Sequence, residues 1–141
     1  MNFKAVIDTN VLVTALLSAD GASRLVLHAV DQKLFTLVLT VPLVLEYEAS
    51  ALRVCQQHHV DAAVVAPILD FWCAQGQLHK VHFLWRPGAK DPGDDMVIES
   101  AVAGQADCIV SYNKRDLTSA AKFGIDVLSP KEFLTRIGVL P

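Results

Sequence analysis

The chain has 141 residues, 52% of them hydrophobic and 19% charged, which suits one globular domain and excludes intrinsic disorder. Fifteen acids against 12 bases give a net charge of −3, so the chain lacks the broad basic face that holds duplex nucleic acid non-specifically. The acids are uneven: 11 are Asp, and six of the 15 (Asp91, Asp94, Asp95, Glu99, Asp107, Asp116) fall in one stretch.

Met1 to Asn10 turns polar after a few apolar residues, which is not a signal-peptide pattern. No apolar run approaches the ~20 residues of a membrane span. Cys55, Cys73 and Cys108 lack metal-ligand spacing and read as small hydrophobes of a reducing cytosol. The five histidines form no HxxxH or HExxH motif, and His58-His59 reads as a solvated pair.

In chain order, Phe3 to Ile7 reads as a buried strand and Thr9 to Leu17 as a helix stopped by Gly21. Ala22 to Gln32 is an amphipathic helix with Leu25, Val26, Ala29 and Val30 on its inner face. Phe35 to Leu39 is a second strand. Pro42 fits the first position of the next helix, with Val41 or Thr40 before it, and Leu43 to Gln56 continue it with the apolar residues Leu45, Ala49, Leu52 and Val54. Asp61 to Gln75 is a helix carrying Trp72 inward and kinked or broken at Pro67, and Gly76 stops it. His79 to Leu84 is an extended segment and Trp85 to Gly93 a loop. Met96 to Ala103 is helical, with Pro92 as an earlier possible start. Cys108 to Val110 is a strand, then come a polar loop and a short helix to Gly124. Ile125 to Leu128 is the last strand, and Ser129-Pro130 caps a terminal helix. Strands alternating with helices indicate an α/β fold with a parallel sheet, whose ligand crevice lies beyond the carboxyl ends of the strands.

The residues after each strand therefore carry the functional reading. Asp8, with Thr9 and Asn10 behind it, follows the first strand and serves either as a helix cap or as a crevice carboxylate. Glu46 lies about a turn inside the helix after the second strand, while Glu48 points ~200° away from it. If Asp91 caps the next helix, Asp94 sits in its first turn, on the same stripe as Ile98 and Ala101. Asp95 and Glu99 share another stripe and read, with Asp107, as surface. Ser111, Asn113 and Asp116 follow the later strand, where Asp116 either caps the short helix or joins the site. Carboxylates without His or Cys suit Mg²⁺ or Mn²⁺ rather than zinc, and such ions suit phosphodiester hydrolysis by activated water. Lys90, Lys114, Arg115 and Arg86 are candidate phosphate contacts or solvated charges; Trp85 stacks on a base or packs under its loop.

The pieces Val6 to Leu12, Thr40 to Glu46, Asp91-Pro92-Gly93-Asp94 with the Ile98…Ala101 helix, and Ile109 to Leu117 together resemble the PIN-domain family of metal-dependent ribonucleases. Val127 to Leu134 resembles one bacterial subgroup of it. The resemblance runs from Asn2 to about Phe133 and implies a three-layer α/β/α domain with a central parallel sheet of four to five strands. By motif it places metal-binding catalytic acids at Asp8, Glu46 and Asp94. Asn10, Asp91, Ser111 and Asn113 stand in support, and either Asp116 or Asn113 fills the fourth position, where many members carry Asp. It also implies the toxin of a toxin–antitoxin pair, with a protein antitoxin and often a homodimer. The expected activity is Mg²⁺/Mn²⁺-dependent hydrolysis of single-stranded RNA in the cytoplasm. The alternatives are a PIN-like protein-binding module with a degraded acid site, and a phospho-acceptor or nucleotide domain, which the missing Gly-rich phosphate loop disfavours.

Overall fold

The computed structural model describes residues 3–81 and 92–141, with side chains in the second stretch from residue 95 onward. Five short strands, β1 (Lys4–Ile7), β2 (Thr36–Leu39), β3 (Gln77–Leu78), β4 (Cys108–Val110) and β5 (Asp126–Leu128), form one sheet in the order β3-β2-β1-β4-β5. Every neighbouring pair is parallel. Parallel strands need long crossovers, and here helices supply most of them. α1 (Thr9–Leu17) and α2 (Ala22–Asp31) join β1 to β2. α3 (Val41–His58), a 3-10 turn (Ala62–Val64) and α4 (Val65–Gln75) join β2 to β3. α5 (Pro92–Ala103) precedes β4, a 3-10 stretch (Lys114–Phe123) joins β4 to β5, and α6 (Pro130–Arg136) ends the chain.

From β1 the connections step outward to β2 and β3, and from β4 they step the other way to β5. Right-handed crossovers then put the two sets of helices on opposite faces, giving the three-layer α/β/α arrangement. α1 packs on α2 and α3, and α3 on α4; α5 packs on the 3-10 stretch and across β1, β2 and β4. The strands read as near-continuous apolar runs because both faces are covered: Ala5, Val6, Ile7, Val38, Leu39, Ile109 and Val110 are fully buried. Phe133 of α6 meets Phe35 edge-on at 4.8 Å, and Tyr47 of α3 meets Trp72 of α4 edge-on at 5.3 Å.

Several expectations need correction. The inner face of α3 is Leu43, Tyr47, Ser50, Ala51 and Cys55, whereas Leu45 is 60% and Leu52 42% exposed, Ala49 is exposed and Val54 half-buried. Apolar residues occupy both stripes of this helix, so residue type alone does not pick the buried one, and Pro42 is its second residue rather than its first, with Thr40 as the cap. Leu25 of α2 is likewise exposed, with Leu27 taking its inner place beside Val26, Ala29 and Val30. Pro67 kinks nothing: it lies in the first turn of α4, where its missing N–H breaks no helical bond, and the irregular turn is the 3-10 segment before it. The short strand Gln77–Leu78 was not expected; of the extended segment expected over 79–84, residues 79–81 lie in no helix or strand and 82–84 fall outside the described residues. Asp95 and Glu99, expected at the surface, are both buried, since α5 is covered from several sides at once. Among the described residues no single helix is long and apolar enough to cross a membrane.

Gly76 allows β3 to sit against β2. A Cβ there would lie 2.8 Å from Leu39 Cδ1, 2.9 Å from the Trp72 carbonyl oxygen and 3.0 Å from that of Leu37. Backbone oxygens cannot swing away, so Gly76→Ala is expected to cost about 1–3 kcal/mol, read as a lowered urea midpoint.

α6 is fixed at its start by a capping box: Ser129 Oγ accepts from the Glu132 N–H (3.1 Å) and Glu132 Oε1 accepts from the Ser129 N–H (2.9 Å). Lys114 Nζ donates to the same Glu132 oxygen at 2.5 Å. The Lys114 hydrogen bond first, and the Ser129 N–H second, hold the Glu132 carboxyl down at about 2 from its usual 4.5. Because the folded pKa is the lower one, this contribution is complete above about pH 4.5 and fades as the pH falls toward 2. Glu132→Gln should cost under about 1 kcal/mol at neutral pH, since the pair is half exposed. Its unfolding free energy should also fall less steeply than that of the unaltered protein between pH 4.5 and 2.

Candidate active site at the strand switch point

β1 and β4 are the two strands from which the connections diverge, and the crevice beyond their carboxyl ends is where such sheets bind ligands. The register pairs Ile7 with Val110, and the Asp8 N–H extends the ladder by donating to the Val110 carbonyl at 2.9 Å. Asp8 and Ser111, each one residue past its strand, are thereby side by side. The Ser111 hydroxyl donates to Asp8 Oδ2 at 2.6 Å and accepts from the Asn113 N–H at 2.9 Å. Asn10 Nδ2 reaches both Asp8 Oδ2 (3.3 Å) and Ser111 Oγ (3.2 Å), while Asn10 Oδ1 accepts from the Tyr112 N–H at 3.2 Å. Asp8 Oδ1 accepts from the Thr9 N–H at 2.8 Å.

Asp8 thus caps α1 with one oxygen and faces Ser111 and Asn10 with the other, so serving as a cap leaves its second oxygen turned toward the strand-end cluster. It is only 7% exposed, and Ser111 is fully buried. A carboxylate so far from water needs donors, and a hydroxyl, a carboxamide and a backbone N–H supply them while fixing its orientation.

α3 is pinned to the same place. The Tyr47 hydroxyl donates to the carbonyl oxygen of Ile7, the residue before Asp8. Complete burial, and secondly the nearby charge of Asp8, push the Tyr47 hydroxyl well above its ordinary pKa, so it stays a neutral donor. Thr40 caps α3, accepting from the Leu43 N–H, and its hydroxyl also meets Ser100 Oγ of α5 at 2.7 Å. Ser100 Oγ itself donates to the Met96 carbonyl, which leaves Thr40 as donor to Ser100. Glu46, beside Tyr47, is half-buried and accepts from Ser50 Oγ at 2.8 Å; Glu48 is exposed.

The remaining expected residues are placed less closely. Asn113, Lys114, Arg115 and Asp116 are exposed on the segment after β4. Asn113, not Asp116, occupies the cap position there, and Asp116 lies in the first turn with its N–H on the Asn113 carbonyl (3.2 Å). Lys114 is engaged by Glu132, which takes up the charge expected for a phosphate contact. Asp94 lies in the first turn of α5, but its side chain, and all of Trp85, Arg86, Lys90 and Asp91, lie outside the described residues. Among the described residues no three carboxylates, imidazoles or thiols converge as a ready metal cage, so Asp8, Glu46 and Asp116 do not by themselves close one.

Sequence reasoning passed over Tyr47, the Thr40–Ser100 pair and the contact between Tyr112 and Ser23 (2.5 Å). Tyr47 had a signal, since it stands four residues from both Leu43 and Ala51, in phase with the buried stripe.

What Asp8 and Glu46 offer a ligand are carboxylate oxygens, hard atoms of the kind that suit Mg²⁺ or Mn²⁺. No thiol nucleophile competes: Cys108 lies within β4, where burial pushes its thiol up to about 12. His58 and His59 are exposed at the far end of α3.

No curated protein matches the sequence. The PIN-domain family does match, over residues 4–115, a span that runs from β1 through the Asp8–Ser111 pair into the segment beyond β4. The chain therefore belongs to the PIN-domain family, whose members are generally nucleases.

Proposed function

We propose that this protein is a Mg²⁺- or Mn²⁺-dependent endoribonuclease that hydrolyses phosphodiesters of single-stranded RNA. The observation that carries the reading is a buried Asp8, held by Thr9, Asn10 and Ser111 at the switch point of a PIN-domain sheet. Asp8, Glu46 and Asp94 would hold the ion, with Asp116 or Asn113 in the fourth position and Asp91 in support. A divalent ion there supplies charge neutralisation and an activated water.

The chain's own groups do the rest. Ser111 and Asn10 keep one Asp8 oxygen aimed away from its cap. Tyr47 ties the helix bearing Glu46 to the end of β1. Arg115, exposed beyond Asn113, and Lys90 are the cations best placed in sequence for the RNA backbone; Lys114 would first have to leave Glu132. As for biological role, the reading is the cytoplasmic toxin of a type II toxin–antitoxin pair, with a small antitoxin protein masking the site and a homodimer as the assembled form.

A second reading, a PIN-like protein-binding module without nuclease activity, is favoured by one feature. Asn113 is uncharged at the position where the family resemblance expects an Asp. Calorimetry with Mn²⁺ separates the two, since only the nuclease reading gives heat that disappears in Asp8→Asn.

With Mn²⁺ the purified protein should cleave single-stranded RNA, and EDTA should abolish the cleavage. Ser111→Ala, which removes a donor to Asp8, should lower metal affinity or rate by roughly 10–100-fold and stability by about 1–2 kcal/mol. Asp8→Asn should lose more activity than that. Equal cleavage by Asp8→Asn and the unaltered protein would sink the metal-site reading.

A further inference from the structure

We propose that Tyr112 is a preset stacking platform for one unpaired nucleobase of the substrate, next to the position that the scissile phosphate takes at Asp8; this rests on the nuclease reading above. Tyr112 directly follows Ser111, whose hydroxyl is bonded to Asp8. It is held at both ends. Its N–H donates to Asn10 Oδ1 at 3.2 Å, and its phenolic oxygen lies 2.5 Å from Ser23 Oγ, a fully buried hydroxyl at the start of α2. The side chain therefore reaches from the end of β4 to the first turn of α2, and Asn10 at the start of α1 ties its backbone to Asp8.

Although its N–H and its hydroxyl are both engaged, Tyr112 as a residue remains 47% exposed. Burial is where an aromatic side chain gains its stabilisation, so an ordered but open ring gives up part of that gain. What the arrangement provides is a π-surface whose rotamer is already fixed, so a ligand that stacks on it does not bear the cost of ordering it. The neighbouring chemistry says which ligand. A carboxylate site for phosphodiester hydrolysis puts a nucleotide backbone within one residue of the ring, and every base offers a face to stack. Lys114 is taken up by Glu132, so stacking supplies affinity that this segment gives only sparingly through charge.

A structural strut is the competing account, and the two accounts make opposite demands on the side chain. A strut depends wholly on the hydroxyl that meets Ser23; a platform depends first on the ring, which the hydroxyl only pre-orders. The test uses the full chain in Ca²⁺, which fills an oxygen site, with a fluorescein-labelled oligouridylate followed by anisotropy. The same oligomer carrying one abasic nucleotide, moved along the strand, is the second probe. Tyr112→Ala should weaken binding about five- to hundredfold, while Tyr112→Phe, which keeps the ring and loses its Ser23 anchor, should lose only a small part of that. At one position the abasic substitution should cost the unaltered protein a similar factor and cost Tyr112→Ala nothing further. Urea unfolding of each variant separates lost binding from lost structure, and the abasic probe on the unaltered protein needs no variant at all. If the unaltered protein binds but Tyr112→Ala binds equally well, or Tyr112→Phe fails as badly as Tyr112→Ala, the platform is overturned and the nuclease reading stands. If the unaltered protein does not bind the oligomer, both fall.

Discussion

The pairing of β1 with β4 is the constraint on which the rest of this molecule hangs. The two strands are about 100 residues apart in the chain, yet their register, Ile7 against Val110, decides that Asp8 and Ser111 become neighbours. Shifting one strand by a residue would reverse which of its side chains face each layer and part the carboxylate from its hydroxyl. Closing so long a loop is entropically unfavourable, and the strands that close it are fully buried, which is the compensation available. The site is thus placed by apolar packing, and its polar groups are attached one residue beyond.

The polar bonds around that point share a property. Ser111 to Asp8, Tyr47 to Ile7 and Thr40 to Ser100 each join two different elements near the carboxyl end of the sheet. A buried polar pair gains little over an apolar pair of the same shape, and leaving one member unpaired is expensive. Such bonds therefore make geometry specific more than they add stability, because an arrangement in which one is missing is penalised. α3 is held at two points, at its cap by Thr40 and about two turns later by Tyr47. The half-buried carboxylate of Glu46 comes one residue before the second of them. A helix fixed twice cannot roll, so the direction of Glu46 is set by residues that have no charge of their own.

How much of this was legible follows from what each signal measures. The ends of β1, β2, β4 and β5, the Ser129 cap and the place of Asp8 are local, and residue type together with a few neighbours identifies them. The phase of α3 is not local. Leu43, Leu45 and Leu52 are equally apolar, so spacing alone admits two stripes, and Tyr47 between Glu46 and Glu48 looks like part of a wet face. Burial of Asp95 and Glu99 depends on how many elements close around α5, which periodicity along one helix does not report. The Tyr112–Ser23 contact spans 89 residues and joins two residue types that are unremarkable in loops and helix starts. Pairings of that kind are properties of the assembled sheet.

The charge distribution has a similar local logic. As a total, −3 argues against nucleic acid, because long-range attraction to phosphates is a matter of basic surface. Along the segment after β4 the account differs. Glu132 is committed twice over, to the cap of α6 and to Lys114, and the resulting pair is electrically neutral. That leaves Arg115 as the exposed base nearest the β4 end on this segment and Asp116 beside it as the exposed acid. On the nuclease reading proposed above, an anionic strand approaching Asp8 would meet no strong field from the described residues of this segment, and recognition along it would rest on short-range contacts: an ion held by carboxylates, oriented amides, and the Tyr112 side chain. Short-range contacts of this kind require rigid partners, since their strength falls steeply with distance. The interlocked bonds of Asp8, Asn10, Ser111 and Tyr112 are the part of the molecule built to supply that rigidity.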